Sequence, residues 1–229
     1  MIFEILFRDE NLVVINKPHG VVVHRSSYVG EADIYAVQEL RKQLGQYVYP
    51  CHRIDRKTSG ILVFTLNQES ARRMQELFAG NFIKKNYLAI VRGYTDDLGV
   101  IDYTLINEKG KSQEALTNYK TIKRVELDIP FGKFKTSRYS LVEVEPQTGR
   151  MHQIRKHLAH IHHPIIGDRP HGCNKQNRLF KELFQMDTMM LHAHQILFSH
   201  PESGKEIKLK ASLHAEFQRM IDTLQFGSF

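Results

Sequence analysis

The stretch from His52 to Gly60, with the sequence HRIDRKTSG, places one carboxylate among several basic side chains. The carboxylate is Asp55, and the bases around it are His52, Arg53, Arg56 and Lys57. Nearby opposite charges favour the charged form of an acid, so we expect Asp55 to stay ionised. An ionised carboxylate held in one place can be a catalytic group, but a solvated loop of ion pairs has the same composition. This stretch alone leaves both interpretations open.

The residues that follow favour a position for Asp55 at the edge of the core. Thr58, Ser59 and Gly60 are turn-forming residues, and the apolar run Ile61 to Leu66 predicts a buried strand. Asp55 is therefore predicted to lie on a loop that enters a core strand, which is a common location for catalytic groups.

A second stretch, Gln147 to His160, combines a turn with a predicted helix. The helix is expected to begin at Arg150, because apolar residues then recur at helical spacing at Ile154, Leu158 and Ile161. Arg155 follows an inward-facing position, so we expect it at the border of the core, where a guanidinium needs a carboxylate partner. A phosphate contact or a structural ion pair is the alternative role for Arg155.

The rest of the pattern predicts one α+β domain spanning residues 1–229, with no internal repeat. Apolar runs predict strands over residues 4–8, 12–16, 21–25, 83–91, 116–125, 138–144, 189–200 and 206–210. Helical spacing predicts helices over residues 34–44 and 213–224, and a third that Asn67 caps and Gly80 ends. Residues 95–115 are polar and are expected to be irregular.

Composition and charge favour a polyanionic partner. The chain has 229 residues, a formal net charge of +7 and a pI of about 9.3. Residues 150–181 contain seven Lys and Arg against one acid, Asp168, so this window has a net charge of +6; it also contains six of the 13 histidines. Charge of one sign concentrated in one window is typical of a surface that binds a phosphate backbone.

Several other classes of protein are disfavoured by the sequence. No apolar run is long enough to span a membrane, and the N-terminus lacks the pattern of a signal peptide. Cys51 and Cys173 are too few for a disulfide scaffold, so we expect reduced thiols and a cytoplasmic protein.

The dense histidines His157, His160, His162 and His163 raise the alternative of a zinc site. No metal-binding motif accompanies them, so a polar, nucleic-acid-facing surface is the better interpretation. No dinucleotide or nucleophile-elbow motif is present either, and we expect chemistry without a metal or an organic cofactor.

A single distinctive acid suits chemistry at a glycosidic carbon, where a carboxylate stabilises or captures a cationic sugar. Glycosidases usually need two carboxylates. One carboxylate therefore fits a rearrangement without attack by water better than it fits hydrolysis.

The joint pattern resembles the pseudouridine synthases of the RluA-like family. The motifs that carry the resemblance occur in order and cover most of the chain; they are HRIDRKTSG, KKNYLAIVRG (residues 84–93), QTGRMHQIRKHLA (147–159), HPIIGD (163–168) and LHA (191–193). The resemblance implies the pseudouridine synthase fold, with a mixed, mainly antiparallel sheet, flanking helices and a central catalytic cleft. It also implies that the N-terminal RNA-binding domain found in many relatives is absent, and that no cofactor is used.

The resemblance further implies a role for each residue that matches a family motif. Asp55 would be the catalytic aspartate, acting at C1′ or C2′ of the target ribose, and Arg155 would pair with it. Tyr87 would stack on the target uracil, and its hydroxyl could aid proton removal at C5. Arg53 would enter the RNA where the flipped nucleotide had been, and Ile154 would form part of the pocket wall. Three further residues are expected to bind the RNA: Arg150, His152 and Lys156.

The run PQTGRMHQIRKHLAHIHHPIIGD is most similar to the TruC type, which isomerises a uridine in the T-stem of tRNA, namely uridine 65. We therefore expect a monomeric enzyme with tRNA as its partner. The alternatives are the same chemistry on ribosomal RNA, a noncatalytic RNA chaperone, and a metal-dependent hydrolase built on the histidines.

Overall fold

The structure, a computed structural model, describes residues 1–24 and 34–227 and divides into two compact units. Each unit is assembled from two separate parts of the sequence. Unit 1 contains residues 1–85 and 193–214, and unit 2 contains residues 86–192 and 215–229. The expected single domain and its central cleft stay predictions.

The elements of the described chain follow in sequence order. The strands are β1 Glu4–Arg8, β2 Leu12–Lys17, β3 Tyr49–Pro50, β4 Ser59–Thr65, β5 Lys84–Arg92, β6 Leu98–Asp102, β7 Leu105–Ile106, β8 Ser112–Gln113, β9 Leu116–Leu127, β10 Ser137–Pro146, β11 Leu191–Ser199 and β12 Glu206–Lys210. The helices are α1 Ala36–Leu44, α2 Gln68–Ala79, α3 Gln153–His160, α4 Asn174–Phe184 and α5 Ala215–Thr223.

Unit 1 is built on an antiparallel array in which β2 lies between β1 and β4. Ile15 of β2 lies opposite Ile5 on one side and Leu62 on the other. All residues of β4 are buried, as its continuous apolar sequence predicts. β11 is the other neighbour of β4, and β12 pairs with β11.

Unit 2 contains a second antiparallel array, in which the strands lie in the order β5, β10, β9 and β6. Leu141 of β10 faces Ile90 of β5, and both side chains are fully buried. The short strands β7 and β8 form a separate hairpin. The antiparallel pairing in both units and the helices confirm the predicted α+β class.

The predicted strands around residues 4–16, 61–66, 83–91 and 206–210 are confirmed to within two residues at each end. The predicted ends of the third helix are also confirmed, since the Asn67 side chain accepts a hydrogen bond from the Ser70 N–H and Gly80 follows the last residue of α2. Gly45 ends α1 in the left-handed conformation, which is a usual signal for the end of a helix. The predicted strand 21–25 was wrong over its described part, because Val22 forms only an isolated bridge to Tyr35 and residues 23–24 lie in a bend. Arg25, its last residue, lies outside the described residues.

Two further predictions about the elements were wrong, and one helix was missed. Residues 95–115 are not irregular, because they contain β6, β7 and β8. Helix α3 begins at Gln153 rather than Arg150, because His152 has a φ of 56° and breaks the helical path. No helix was predicted over α4; its N-cap residue, Cys173, makes no side-chain capping hydrogen bond, so the usual start signal is missing.

Within residues 1–24 and 34–227, each helix is too short or too polar to cross a bilayer.

Candidate active site

The loop between β3 and β4 positions Asp55 in unit 1. Asp55 is half-buried, whereas Ile54 before it is buried and Arg53 is exposed. The Thr58 N–H donates to the Asp55 main-chain carbonyl over 3.0 Å, which closes a turn directly before β4. The sequence thus places Asp55 correctly on a loop that enters a core strand.

The buried side chain of Lys17 binds a main-chain carbonyl of this loop. The Lys17 side chain is fully buried, and its ammonium donates to the carbonyls of Pro18 (3.0 Å), Val21 (2.9 Å) and Arg56 (3.3 Å). Burial lowers the pKa of Lys17 to about 7, and the negative charge of Asp55 opposes that shift. Lys17 therefore holds the main chain next to Asp55 in place. Its ammonium also interacts electrostatically with the Asp55 carboxylate.

The side chain of His52 does not contribute a positive charge near Asp55, contrary to the prediction. Its Nε2 accepts a hydrogen bond from the Val63 N–H over 3.1 Å, and its ring packs against Phe78. Burial, together with the charge of Lys85, lowers the pKa of His52 to about 3, so the imidazole is neutral at neutral pH. His52 is a structural link to β4.

Gly60 ends the Asp55 stretch at a position where a side chain cannot fit. Its φ is +106°, and a Cβ placed there would lie 2.2 Å from the main-chain oxygen of Ala193. Only glycine allows this close approach of β4 and β11, so the last residue of HRIDRKTSG is required by the backbone.

Arg155 in unit 2 has a carboxylate partner that the sequence did not identify. Its Nε donates to Asp168 Oδ2 and its Nη2 to Asp168 Oδ1, both over 2.7 Å. Both residues are buried, with exposed fractions of 6% and 1%. Arg155 is therefore more deeply buried than predicted, and its fork geometry is fixed by a bidentate pair. The predicted pairing of Arg155 with Asp55 stays a prediction.

Gln153 organises the turn that precedes α3. Its Oε1 accepts from the Thr148 hydroxyl and from the Arg150 N–H, and its Nε2 donates to the Leu116 carbonyl and the Thr117 hydroxyl. A buried amide that uses both its oxygen and its nitrogen in this way ties the QTGR turn to β9. Gln153 was not singled out from the sequence, although it lies within the HQIR motif.

The remaining predicted residues of unit 2 lie on β5, on α3 and in the turn before α3. Tyr87 is nearly buried on β5 opposite Val144 of β10, and Ile154 is buried in α3. Arg150 is exposed, and its Nε donates to the Glu114 carbonyl over 3.0 Å. Lys156 is half-buried, with its Nζ 3.4 Å from the Ile106 carbonyl.

His152 and His171 form a hydrogen-bonded pair, with 3.0 Å between Nδ1 of the former and Nε2 of the latter. Burial lowers the pKa of His171; the charge of Asp168 opposes this shift, and the charges of Arg155, His152 and Lys156 add to it. The imidazole of His171 is therefore mainly neutral at neutral pH.

Three of the four clustered histidines, His157, His160 and His163, contact neighbouring groups of unit 2. His157 is buried and bonds the Tyr103 carbonyl over 3.0 Å, His160 stacks on the Tyr103 ring at 3.6 Å, and His163 bonds the Arg92 carbonyl over 2.8 Å. In the part of the chain that the structure describes, no group of three or more His, Cys, Asp or Glu side chains is arranged to hold a metal ion.

Residues 11–160 match the sequence pattern of the family described as RNA pseudouridylate synthase. The chain belongs to this family, and it is accordingly an isomerase that forms pseudouridine in RNA.

Curated relatives match the chain over nearly its whole length. The tRNA pseudouridine synthase C of Vibrio parahaemolyticus is 42% identical over 97% of this chain and 95% of the relative. The protein of the same name from Haemophilus ducreyi is 43% identical over 99% of this chain and 97% of the relative.

Solved structures agree on the fold. The human RNA pseudouridylate synthase domain containing 4 superposes with a TM-score of 0.77 at 26% identity, covering 97% of this chain and 93% of that chain. The human RNA pseudouridylate synthase domain containing 1 has a TM-score of 0.72 at 21% identity, covering 99% and 96%, and supports the fold alone.

Proposed function

We propose that this chain converts a uridine of tRNA into pseudouridine, and that the target is uridine 65 in the T-stem. The observation that carries the proposal is the near-full-length identity of 42–43% to proteins named tRNA pseudouridine synthase C. The net charge of +7, with +6 between residues 150 and 181, is consistent with a phosphate-rich substrate.

We assign the chemistry to Asp55 as the catalytic carboxylate, acting at C1′ or C2′ of the ribose. Its half-buried position on a fixed loop beside Lys17 supports this role, since a catalytic group must be held in one geometry. Breaking the bond between N1 and C1′ frees the uracil, which rotates and reattaches through a new bond between C5 and C1′. C5 then loses its proton and N1 gains one. Atoms are conserved, so the reaction needs no water, oxidant or reductant.

The target base must leave the RNA helix before it can react, at a cost of a few kcal/mol in lost stacking. Stacking on Tyr87 would return about 1–3 kcal/mol of this cost, and Ile154 would form an apolar wall. Arg53, exposed on the Asp55 loop, would occupy the space that the base leaves. Arg155 would orient Asp55, and three residues would contact the RNA backbone: Arg150, His152 and Lys156.

The proposal is tested by mapping pseudouridine with carbodiimide labelling and primer extension. Unmodified tRNA and ribosomal RNA transcripts are incubated with the purified chain, with no added metal or cofactor. We expect one new stop in the tRNA T-stem. Asp55→Asn should abolish this stop while tRNA binding changes less than about threefold, since the amide keeps the size of the side chain. Asp187→Asn, at an exposed acid of unit 2, is the matched control and should retain activity.

Each alternative predicts a different result. A stop confined to ribosomal RNA would keep the chemistry and change the substrate. Full biological function with Asp55→Asn would favour a noncatalytic RNA chaperone. Turnover that needs an added metal would favour the hydrolase. We further propose that the protein is cytoplasmic and monomeric. A dimeric mass in light scattering would contradict the monomeric state.

A further inference from the structure

The hairpin tip that joins β9 to β10, residues 128–136, is a turn in unit 2 that main-chain hydrogen bonds close. The N–H groups of Phe131 and Phe134 each donate to the carbonyl of the other, over 3.0 and 3.1 Å. Gly132, the first of the two residues between them, has a φ of +60°, which suits a two-residue hairpin loop with glycine at that position. The hydroxyl of Ser137 donates to the Ile129 carbonyl and fixes the base of the tip.

Aromatic rings and cations alternate at this tip. Phe134 is 57% exposed, and the Lys133 ammonium lies 5.5 Å from the centre of its ring. The Arg92 guanidinium lies 5.5 Å from the ring of Phe131, at the end of β5. A single exposed aromatic residue is common on protein surfaces, but this one lies in a hydrogen-bonded turn beside cations and so presents a flat apolar ring next to positive charge.

The tip has a net positive charge, since residues 128–136 contain Lys133 and Lys135 against one acid, Asp128. Glu126 and Arg138 lie beside the tip, near the ends of β9 and β10. Glu126 is engaged at 3.3 Å by Arg138 and also accepts from the Thr136 hydroxyl, so its charge is largely compensated.

We propose that this hairpin tip binds RNA, with Lys133 and Lys135 contacting phosphates and an unpaired base stacking on Phe134. The inference rests on the proposed function, since it assigns a second contact to the same RNA substrate. Phosphates complement the lysines, and each base offers a flat face that Phe134 can stack against, which an acidic peptide lacks. The pre-formed turn reduces the ordering that binding requires.

The position of the tip predicts what this contact does. Tyr87 pairs with Val144 near one end of β10, while Ser137 begins β10 at the tip. At roughly 3.3 Å per residue, these two ends of the strand are about 23 Å apart. The tip therefore contacts RNA far from the target uridine, and it contributes to the choice of RNA and not to the chemistry.

The test compares two changes at the tip with a charge-matched control. Binding is measured by filter retention in the Asp55→Asn chain, using an unmodified tRNA transcript and an isolated T-arm hairpin over a salt series. Lys133→Ala with Lys135→Ala should weaken tRNA binding at least about threefold and lower the slope of log Kd against log salt by about 1–2. Phe134→Ala should weaken binding about fivefold without changing that slope. Lys205→Ala with Lys208→Ala removes the same charge from exposed positions of unit 1 and serves as the control.

The proposal is supported if the tip variants lose more affinity than the control variant does. The loss should also be smaller for the isolated T-arm hairpin than for whole tRNA. Losses equal to those of the control, or an unchanged Kd for Phe134→Ala, overturn it. Pseudouridine formation by the wild-type chain is measured on the same transcript. Its absence would refute the proposed function, whereas its presence with unaffected tip variants would refute only this inference.

Discussion

The Asp55 loop of unit 1 and the turn and helix around Arg155 in unit 2 hold the proposed site residues in different ways. The loop is fixed by main-chain carbonyls gathered around the buried ammonium of Lys17. The turn and helix are fixed by side chains, through the Arg155–Asp168 pair and the four hydrogen bonds of Gln153. The first arrangement depends on the ionisation of one residue, whereas the second depends on the presence of particular side-chain pairs.

Of the substitutions that test this comparison, removing Asp168 should lower the free energy of unfolding the most. Asp168→Ala takes away the carboxylate that accepts two hydrogen bonds from buried Arg155, and we expect a loss of about 3–5 kcal/mol in the free energy of unfolding. Urea denaturation measures this loss. Asp187→Ala, which removes an exposed acid from the same unit, should change stability by less than about 0.5 kcal/mol.

The double variant Arg155→Met with Asp168→Leu distinguishes a lost charge pair from a general loss of packing. Apolar replacement of a buried pair is often close to neutral, so stability should return toward that of the wild type. A double variant as unstable as Asp168→Ala would contradict the role we give to the pair.

Lys17→Met should have an intermediate effect. It leaves three main-chain carbonyls without their donor, and we expect a loss of about 1–3 kcal/mol at pH 7. Because the folded pKa is about 7 and the unfolded value is 10.5, the unfolded chain binds an extra proton between these values. Wild-type stability should therefore rise with pH across this window, and the variant should lack that rise.

Unfolding titrations at pH 7, 8 and 9 measure the difference between the two chains. Lys42→Met, at a side chain that is 75% exposed, is the control and should follow the wild type. A gap between wild type and Lys17→Met that stays constant with pH would show that Lys17 is not titrating in this range.

Substituting His52 should change stability the least of the three positions. Its pKa is lowered from 6.5 to about 3, so only the unfolded chain takes up this proton as the pH falls below 6.5. One proton contributes at most about 1.4 kcal/mol per pH unit, and stability is lost in that direction. His52→Gln keeps an acceptor for the Val63 N–H and should show a shallower loss between pH 7 and 5, as measured by urea denaturation.

The sequence predicted an element correctly where the residues that determine it lie within a few positions of one another. Strand β4, the Asn67 cap and the Gly45 end of α1 follow from apolar runs and capping residues within a few positions. The Asp55 loop was placed correctly for the same reason. Hydrogen bonds between residues far apart in the chain were not visible, which is why the contact of Lys17 with the Arg56 carbonyl was not predicted.

What the sequence did not reveal has the same physical origin. A carboxylate partner was expected for Arg155, and Asp168 provides one, but Asp168 lies 13 residues later and becomes a neighbour only after folding, so it was not identified. His52 counts as a base from composition, yet burial and the Val63 N–H make it neutral. Strand β6 carries exposed Leu98 and Val100 and forms by pairing with β9, so its own sequence does not alternate clearly.

The interleaved assembly of unit 1 has a consequence for its synthesis. Residues 1–85 leave the ribosome before β11 and β12 exist, and 107 residues of unit 2 are made in between. At roughly 5–20 residues per second, the edge of β4 that β11 will cover waits for about 5–20 seconds. The nascent chain therefore carries a largely apolar strand with an uncovered edge until late in translation, and this is the stage at which the protein is most exposed to wrong pairing or to capture by a chaperone.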